Sequence, residues 1–240
     1  MNPEITSPNA VKRILCLANS RKLSGRCIAG REIVNNHPGA WIRPVSDREH
    51  QEVSWEERHY VDGSDPRVLD VIAVPLAEPR PHLFQQENWL LDPNFYWQTT
   101  GRVDWAGLQA FVEPDGPLWV NGQSSYNGLN DRVVLAEANQ LRSSLRLIRM
   151  DRLRLRVFRP DPPGVQFLPK RKVSAEFDHS GAHYALSVTD PSYTAQYLAQ
   201  QDGLYDLGES CLTVSLGELY HGYTYKLIAA VIERAHIGAT

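Results

Sequence analysis

Hydrophobic and polar residues alternate most regularly in the segment Arg152-Leu153-Arg154-Leu155-Arg156-Val157. Successive side chains of a β-strand point to opposite faces, so this pattern predicts a strand with arginines on one face and aliphatic residues on the other. At about 3.3 Å of rise per residue, neighbouring arginines would lie roughly 6–7 Å apart. The pattern therefore predicts a row of permanent positive charge, which suits phosphates or carboxylates.

The rest of the second half predicts a strand-rich domain with one helix. The predicted strands cover 144–158, 172–177, 183–189, 211–216 and 223–233. Asp190 and Pro191 are typical of a helix N-cap and first helical position, which places the helix at 192–201. Three strands, a helix and two strands is the order of an OB-type five-stranded barrel, although SH3-like and other small barrels give a similar order.

The first half contains shorter apolar stretches, separated by segments rich in Trp, Pro, Asn and Gly. We therefore predict a mainly β protein with a few helices, built from two tandem OB-like small barrels. The first OB-like β-rich domain, with Trp-rich insertions, covers 1–130. A linking helix covers 131–143, and the second OB-like barrel covers 144–240.

Composition is compatible with a folded protein of the cytoplasm. The apolar share of 42% suffices for a core. Three scattered cysteines argue against a disulfide scaffold and for a reducing compartment. Residues 1–10 are polar and resemble neither a signal peptide nor a membrane anchor, and no apolar run is long enough to span a membrane. We expect a cytoplasmic protein, bacterial in style, that does not enter a membrane.

The formal net charge of −3 hides an uneven distribution. Between Arg142 and Lys172 lie ten basic residues and two acidic ones, so the remainder of the chain is acidic. This excludes a uniformly basic nucleic-acid coat. It leaves open a localised basic face on an acidic body, which can orient an anionic partner.

The strongest candidate site is this basic face. We expect phosphates to contact the cationic residues of the first two strands of the second barrel and the loop between them, and a base to stack on the aromatic residues before the last strand. The candidates are Arg152, Arg154, Arg156, Lys170, Arg171, Lys172, Tyr220 and His221. The alternative is a solvated sheet face on which each arginine pairs with a neighbouring carboxylate such as Glu176 or Asp178.

A second candidate pocket lies in the first half. Trp41 and Arg43 share one face of a predicted strand, where Arg43 places a charge inside an apolar run. A buried guanidinium needs a carboxylate, an aromatic face or a ligand anion, so a structural ion pair competes with a binding role. Gln86, Glu87 and Asn88 are three consecutive polar residues that can satisfy one another or a ligand.

Several segments together resemble the dual OB-containing domain family of bacterial proteins. They are Lys12–Gly30 (KRILCLANSRKLSGRCIAG), Trp41–Ser46 (WIRPVS), Gln86-Glu87-Asn88, Val188–Pro191 (VTDP) and Leu216–Ile232 (LGELYHGYTYKLIAAVI). The resemblance covers nearly the whole chain and implies two OB-like barrels in tandem. It carries no catalytic residue over to this sequence.

The leading functional hypothesis is a non-catalytic binding module for single-stranded nucleic acid or a nucleotide-like anion. A protein-interaction scaffold that docks an acidic partner is the alternative. A small metal-dependent nuclease that uses Asp178, His179 and His183 is a third hypothesis, although no further ligand follows at a spacing typical of metal sites. We expect no metal and no cofactor.

Overall fold

The structure is a computed structural model that describes residues 8–161 and 168–237. The chain divides into two compact units, Met1–Val103 and Asp104–Thr240. This division differs from the predicted boundary near residue 130. The reason is that segment 104–130 packs with the second unit, where Leu118 belongs to the core and Glu113 N–H donates to Leu147 O at 2.9 Å.

The first unit contains six strands and one short helix among its described residues. They are β1 (Ala10–Lys22), β2 (Gly25–Val34), β3 (His37–Val45), α1 (Trp55–Arg58), β4 (Asp70–Pro79), β5 (Asn88–Leu91) and β6 (Gln98–Arg102).

Five of these strands form a closed OB-type barrel, and β6 pairs with β4 in addition. The strand order is β1-β2-β3-β5-β4, and β1 also pairs with β4, which closes the sheet. The long strand β1 can reach both neighbours because a bulge between Cys16 and Ala18 bends it. Its inward residues, such as Ile14, pack against Ile28, Ile42 and Trp97 in the barrel core.

The second unit contains eight strands and three short α-helices among its described residues. They are α2 (Trp105–Leu108), β7 (Arg132–Val134), α3 (Leu135–Ala138), β8 (Leu145–Met150), β9 (Leu153–Phe158), β10 (Lys172–His179), β11 (Ala182–Val188), α4 (Pro191–Leu198), β12 (Gly203–Leu207), β13 (Ser210–Leu216) and β14 (Tyr223–Glu233). Short 3-10 helices cover Gln109–Phe111 and Arg234–His236.

The second unit repeats the OB topology with a divided first strand. The order is β9-β10-β11-β14-β13-β8, with β11 parallel to β14. The predicted strand 144–158 is interrupted at Asp151 and Arg152, so β8 pairs with β13 while β9 pairs with β10. The β10–β11 hairpin turns at Ser180 and Gly181, both with positive φ, as a two-residue type I′ turn requires.

Two elements differ from the sequence prediction. The linking helix expected over 131–143 is a single turn, α3, because Arg132–Val134 instead forms β7 and pairs with β14. The helix predicted at 192–201 ends at Leu198, and Gly203 begins the additional strand β12, which pairs with β9. The N-cap prediction for this helix is confirmed, since the Asp190 carboxylate accepts from Ser192 N–H at 2.9 Å.

The structure confirms a mainly β protein with two OB-like barrels and a few helices. In the part of the chain that the structure describes, the helices are all too short or too polar to cross a bilayer.

A buried lysine ties a loop to the second barrel. Lys226 on β14 is completely buried, and its Nζ donates to Val120 O and Asn121 Oδ1, each at 2.8 Å. The same Nζ lies 5.2 Å from the centroid of the Tyr184 ring. Burial lowers the pKa of Lys226 to about 8, since desolvation disfavours the charged amine.

Candidate functional site

The outer face of the second barrel is open to solvent. On β9 the alternation is as predicted: Leu153, Leu155 and Val157 are buried, whereas Arg154 and Arg156 are exposed. Arg152 is also exposed and lies just before the strand begins. OB barrels commonly bind oligonucleotides and oligosaccharides on this side, over their second and third strands and the adjoining loops.

On the corresponding face of the first barrel, three outward-facing residues are buried. Trp41 and Arg43 lie on the opposite side of β3 from the core residue Ile42, yet both are buried. Ala29 on β2 is buried as well. An accessible strand face of the OB type is therefore found on the second barrel.

A polar cleft of about 760 Å³ occupies one end of the open face. Its charged and titratable lining residues are Asp151, Arg152, Arg154, Glu176, Asp178, His183 and Asp206. Arg154 Nε lies 3.3 Å from Asp206 Oδ1, and His183 Nδ1 lies 2.9 Å from Asp178 Oδ1. Carboxylates outnumber guanidinium groups here, so the cleft is acidic. We name this set of residues the acidic cleft.

The other end of the same face is basic and carries an aromatic ring. The Arg156 guanidinium lies 4.7 Å from the centroid of the Phe158 ring, and Lys172 is the cross-strand neighbour of Phe158. Lys170 precedes Lys172 by two residues, and both lysines are exposed. Arg156 Nη1 is 3.7 Å from Glu176 Oε1, a loose contact that leaves the guanidinium half-exposed. We name Arg156, Phe158, Lys170 and Lys172 the basic end.

Arg171 has a different environment from its two neighbouring lysines. Its Nε lies 2.6 Å from Asp202 Oδ1, and its other nitrogens donate to Leu198 O and Gln200 O at 2.9 and 2.6 Å. These carbonyls lie at the end of α4 and just after it, where a cation satisfies unpaired acceptors and interacts favourably with the helix dipole. The geometry therefore gives Arg171 a helix-capping role in the fold.

Tyr220 and His221 lie on another part of the barrel. Their rings are in edge contact at 4.2 Å, and Tyr220 is 62% exposed. They belong to the turn before β14, and β10 and β11 separate β14 from β9 in the sheet. At about 4.8 Å per strand, this separation is roughly 14 Å. The structure does not bring them into the acidic cleft.

The residues of the nuclease hypothesis do not form one site. Asp178 and His183 are cross-strand neighbours on the open face. His179 is the next residue along β10 and points to the other side, where its Nε2 lies 2.9 Å from Gly116 O. Among the described residues, no three His, Cys, Asp or Glu side chains are grouped so that they could hold a metal ion.

Three of the pocket residues predicted in the first half, Arg43, Glu87 and Asn88, form a buried polar cluster. Arg43 Nη2 lies 3.1 Å from Glu87 Oε1, and each side chain is only 4% exposed. Arg43 Nη1 also donates to Asn88 Oδ1 at 3.4 Å. Trp41 is buried with the Arg31 guanidinium 5.7 Å from its ring centroid, while Gln86 is exposed. A structural ion pair is thus present at Arg43.

Sequence reasoning missed two aromatic residues, one on the open face and one that contacts the segment after β9. Phe158 follows Arg154 and Arg156 in the same alternation, so the pattern itself contained this signal. Tyr126 is 65% exposed, and its hydroxyl donates to Asp161 O at 2.6 Å. No local pattern pointed to Tyr126, because its position depends on the loop around it.

The fold and the open face together define an OB-type binding module. Residues 12–231 match the family described as Dual OB-containing domain, and the chain belongs to that family. This confirms the resemblance noted in the sequence. The comparisons with curated proteins and with solved structures gave no match.

Proposed function

We propose that the second barrel binds single-stranded nucleic acid along its open face. The observation that carries the proposal is the basic end, where the exposed Arg156 lies against the Phe158 ring and the exposed Lys172 is the cross-strand neighbour of Phe158. Arg156, Lys170 and Lys172 contact phosphates, which supplies affinity without sequence selection. Phe158 provides a surface on which a base stacks.

Two features favour a single strand over a duplex. A base can stack on Phe158 only when it is free from its neighbours, as in single-stranded nucleic acid. The three cations also form one small group, with Arg156 on β9, Lys172 at the start of β10 and Lys170 just before it, and a single backbone can contact them. Tyr220 and His221 come into contact only with a strand long enough to cross β10 and β11.

The acidic cleft restricts where phosphates bind. Arg154 Nε lies 3.3 Å from Asp206 Oδ1, and Glu176 is the cross-strand neighbour of Arg154, so these carboxylates oppose a phosphate at this position. Arg152 lines the same cleft beside Asp151. Phosphates are therefore expected to prefer the basic end over the full row of arginines that the sequence predicted.

The proposal is tested by fluorescence anisotropy with a labelled oligo(dT) of about 12 nucleotides, a length that suits one OB fold. We expect binding at low salt, with affinity falling as salt rises from about 50 to 200 mM. The variant carrying Arg156→Gln and Lys172→Gln is expected to bind about tenfold more weakly. The slope of log K against log salt should fall by about 1.4, or 0.7 for each phosphate contact.

Arg142→Gln is the matched control, because Arg142 is exposed in the same unit but precedes β8. It should leave affinity and salt slope within twofold of the parent protein. Absence of binding at low salt rejects the proposal. The alternative, that the basic end binds an acidic protein partner, would then be favoured. Equal losses in the double variant and the control also reject it.

A further inference from the structure

We infer that Tyr126 is a second stacking residue of the open face, so that two bases of one strand are held at the basic end. This inference rests on the proposed function, because it concerns the same strand whose phosphates contact Arg156 and Lys172. The observation behind it is an aromatic side chain, 65% exposed, that a separate loop carries to this end of the face.

The hydroxyl contact of Tyr126 places its ring close to Phe158. The Tyr126 hydroxyl donates to Asp161 O at 2.6 Å. Asp161 follows Phe158 by three residues, so their Cα atoms are at most about 11 Å apart. The Tyr126 ring therefore lies at the end of β9 that carries the basic end, whereas the acidic cleft lies toward the other end.

The course of the loop leads to the same position. Leu129 and Ala185 exchange two backbone hydrogen bonds of 3.1 Å, and their pairing is antiparallel. From Leu129 back to Tyr126, the chain therefore runs beside β11 toward Ser187. Ser187 belongs to the row of cross-strand neighbours that crosses β10 and ends at Arg156. Tyr126 thus approaches the basic end from the side of β11.

The loop is held in place by contacts that do not involve the Tyr126 ring. The Asp131 carboxylate accepts from Ser125 N–H at 2.6 Å and from the Ser125 hydroxyl at 2.5 Å. The Asn130 side-chain amide donates to His183 O at 2.9 Å. These contacts fix the backbone beside Tyr126 and leave most of its side chain exposed. A base can therefore stack on the ring with little further ordering of the loop.

A buried hydroxyl between the two sides of this site is a second observation that favours a bound backbone. Ser174 alternates with the core residues Val173 and Ala175 on β10, so it faces the open side, yet it is only 4% exposed. Its cross-strand neighbours are Arg156 and Ser187. In the described part of the chain, Ser174 Oγ has no hydrogen-bond partner. A buried hydroxyl without a partner costs free energy, and a phosphate oxygen held by Arg156 can accept from it.

The two rings and the groups between them define a site for two neighbouring nucleotides. A phosphate held beside Arg156 has Phe158 on the β9 side and Tyr126 on the β11 side. The bases that flank this phosphate can each stack on one ring. Every base has a π face, so the second ring adds affinity without base selection.

The test is fluorescence anisotropy with oligo(dT) of about 12 nucleotides and with an abasic strand of equal length, which has phosphates but no bases. Tyr126→Ala is expected to weaken oligo(dT) binding about tenfold, because one stacking surface is lost. Its salt slope should not change, since no charge is altered. Binding of the abasic strand should also stay unchanged. Tyr126→Phe keeps the ring and removes only the hydroxyl, so it should bind oligo(dT) within about twofold of the parent protein.

Tyr96→Ala is the matched control, because Tyr96 is a tyrosine of similar exposure, 57%, in the first unit. It should leave oligo(dT) binding unchanged. Equal losses in Tyr126→Phe and Tyr126→Ala overturn the inference, because the hydroxyl contact to Asp161 would then be what matters. Equal weakening of both strands by Tyr126→Ala overturns it as well, since the effect would not depend on bases. Unchanged oligo(dT) binding by Tyr126→Ala also overturns it, while the proposed function stands. If the parent protein binds neither strand, the proposed function itself fails.

Discussion

Replacing Glu87 by leucine is expected to lower the free energy of unfolding by about 3–5 kcal/mol. Glu87 Oε1 lies 3.1 Å from Arg43 Nη2 in a pair whose two side chains are each 4% exposed. Removing the carboxylate takes away the charged oxygen that lies 3.1 Å from the buried guanidinium, and the Asn88 Oδ1 acceptor at 3.4 Å carries no charge. Urea unfolding followed by tryptophan fluorescence measures the loss, because Trp41, Trp55, Trp89 and Trp97 lie in the first unit.

Two further variants separate the charge effect from a general effect of substitution. The double variant carrying Arg43→Met and Glu87→Leu should recover most of the lost stability, since a buried pair can be replaced by apolar residues at little cost. Glu78→Leu is the matched exposed control, because Glu78 pairs with Arg80 at the surface, and it should change stability by less than about 0.5 kcal/mol. A loss below about 1 kcal/mol for Glu87→Leu contradicts the structural role.

Lys226→Met is expected to remove a pH dependence of stability between about pH 8 and pH 10.5. In the folded protein the pKa of Lys226 is lowered to about 8 from an ordinary value of 10.5. Within this window Lys226 binds more protons in the unfolded chain than in the folded chain, so this lysine makes stability rise with pH. The stability of the parent protein minus that of Lys226→Met should increase by up to about 3 kcal/mol across the window. Urea titrations at several pH values measure it.

The difference in stability between the parent protein and Lys226→Met reports on Lys226 alone, because other titrating groups are common to both. Burial raises the pKa of Cys16 to about 12 and that of Cys211 to about 11, so the stability of both proteins falls above the ordinary thiol pKa. That fall is common to them and cancels in the difference. Lys172→Met, in an exposed lysine, is the control for the substitution itself, and the difference for Lys226→Met is compared with it at each pH. A flat difference for Lys226→Met would show that the amine ionises freely in the folded state.

The strands were predictable because their signals are local. Alternation in β9 and the Asp190-Pro191 start of α4 depend only on neighbouring residues. The OB-type barrel was predicted from the order of the elements along the chain, which is three strands, a helix and two strands. The strand β12 was missed because Gly203–Leu207 is short and mostly exposed, and its pairing with β9 supplies what its own pattern lacks.

The charges of the candidate site were harder to predict because their partners are distant in sequence. Asp206 reaches Arg154 only because β12 joins the edge of β9. Arg171 resembles Lys170 and Lys172 in the sequence, yet it binds carbonyls at the end of α4. Arg43 and Glu87 were both singled out, but their contact depends on the parallel pairing of β3 with β5. The residue types thus predicted that this face is charged. Which parts of the face are acidic and which are basic could be read only from the structure, because the fold decides which carboxylates lie beside each cation.

The most direct test of the account is to map where a single strand binds, by following backbone amide chemical shifts during an oligonucleotide titration. Binding on the open face predicts shifts in β9, around Arg154, Arg156 and Phe158, and in the facing residues of β10 and β11. The amides of the first unit should remain unchanged with a short oligonucleotide. Shifts confined to the first unit, or to the turn that contains Tyr220 and His221, would contradict the assignment of the binding face.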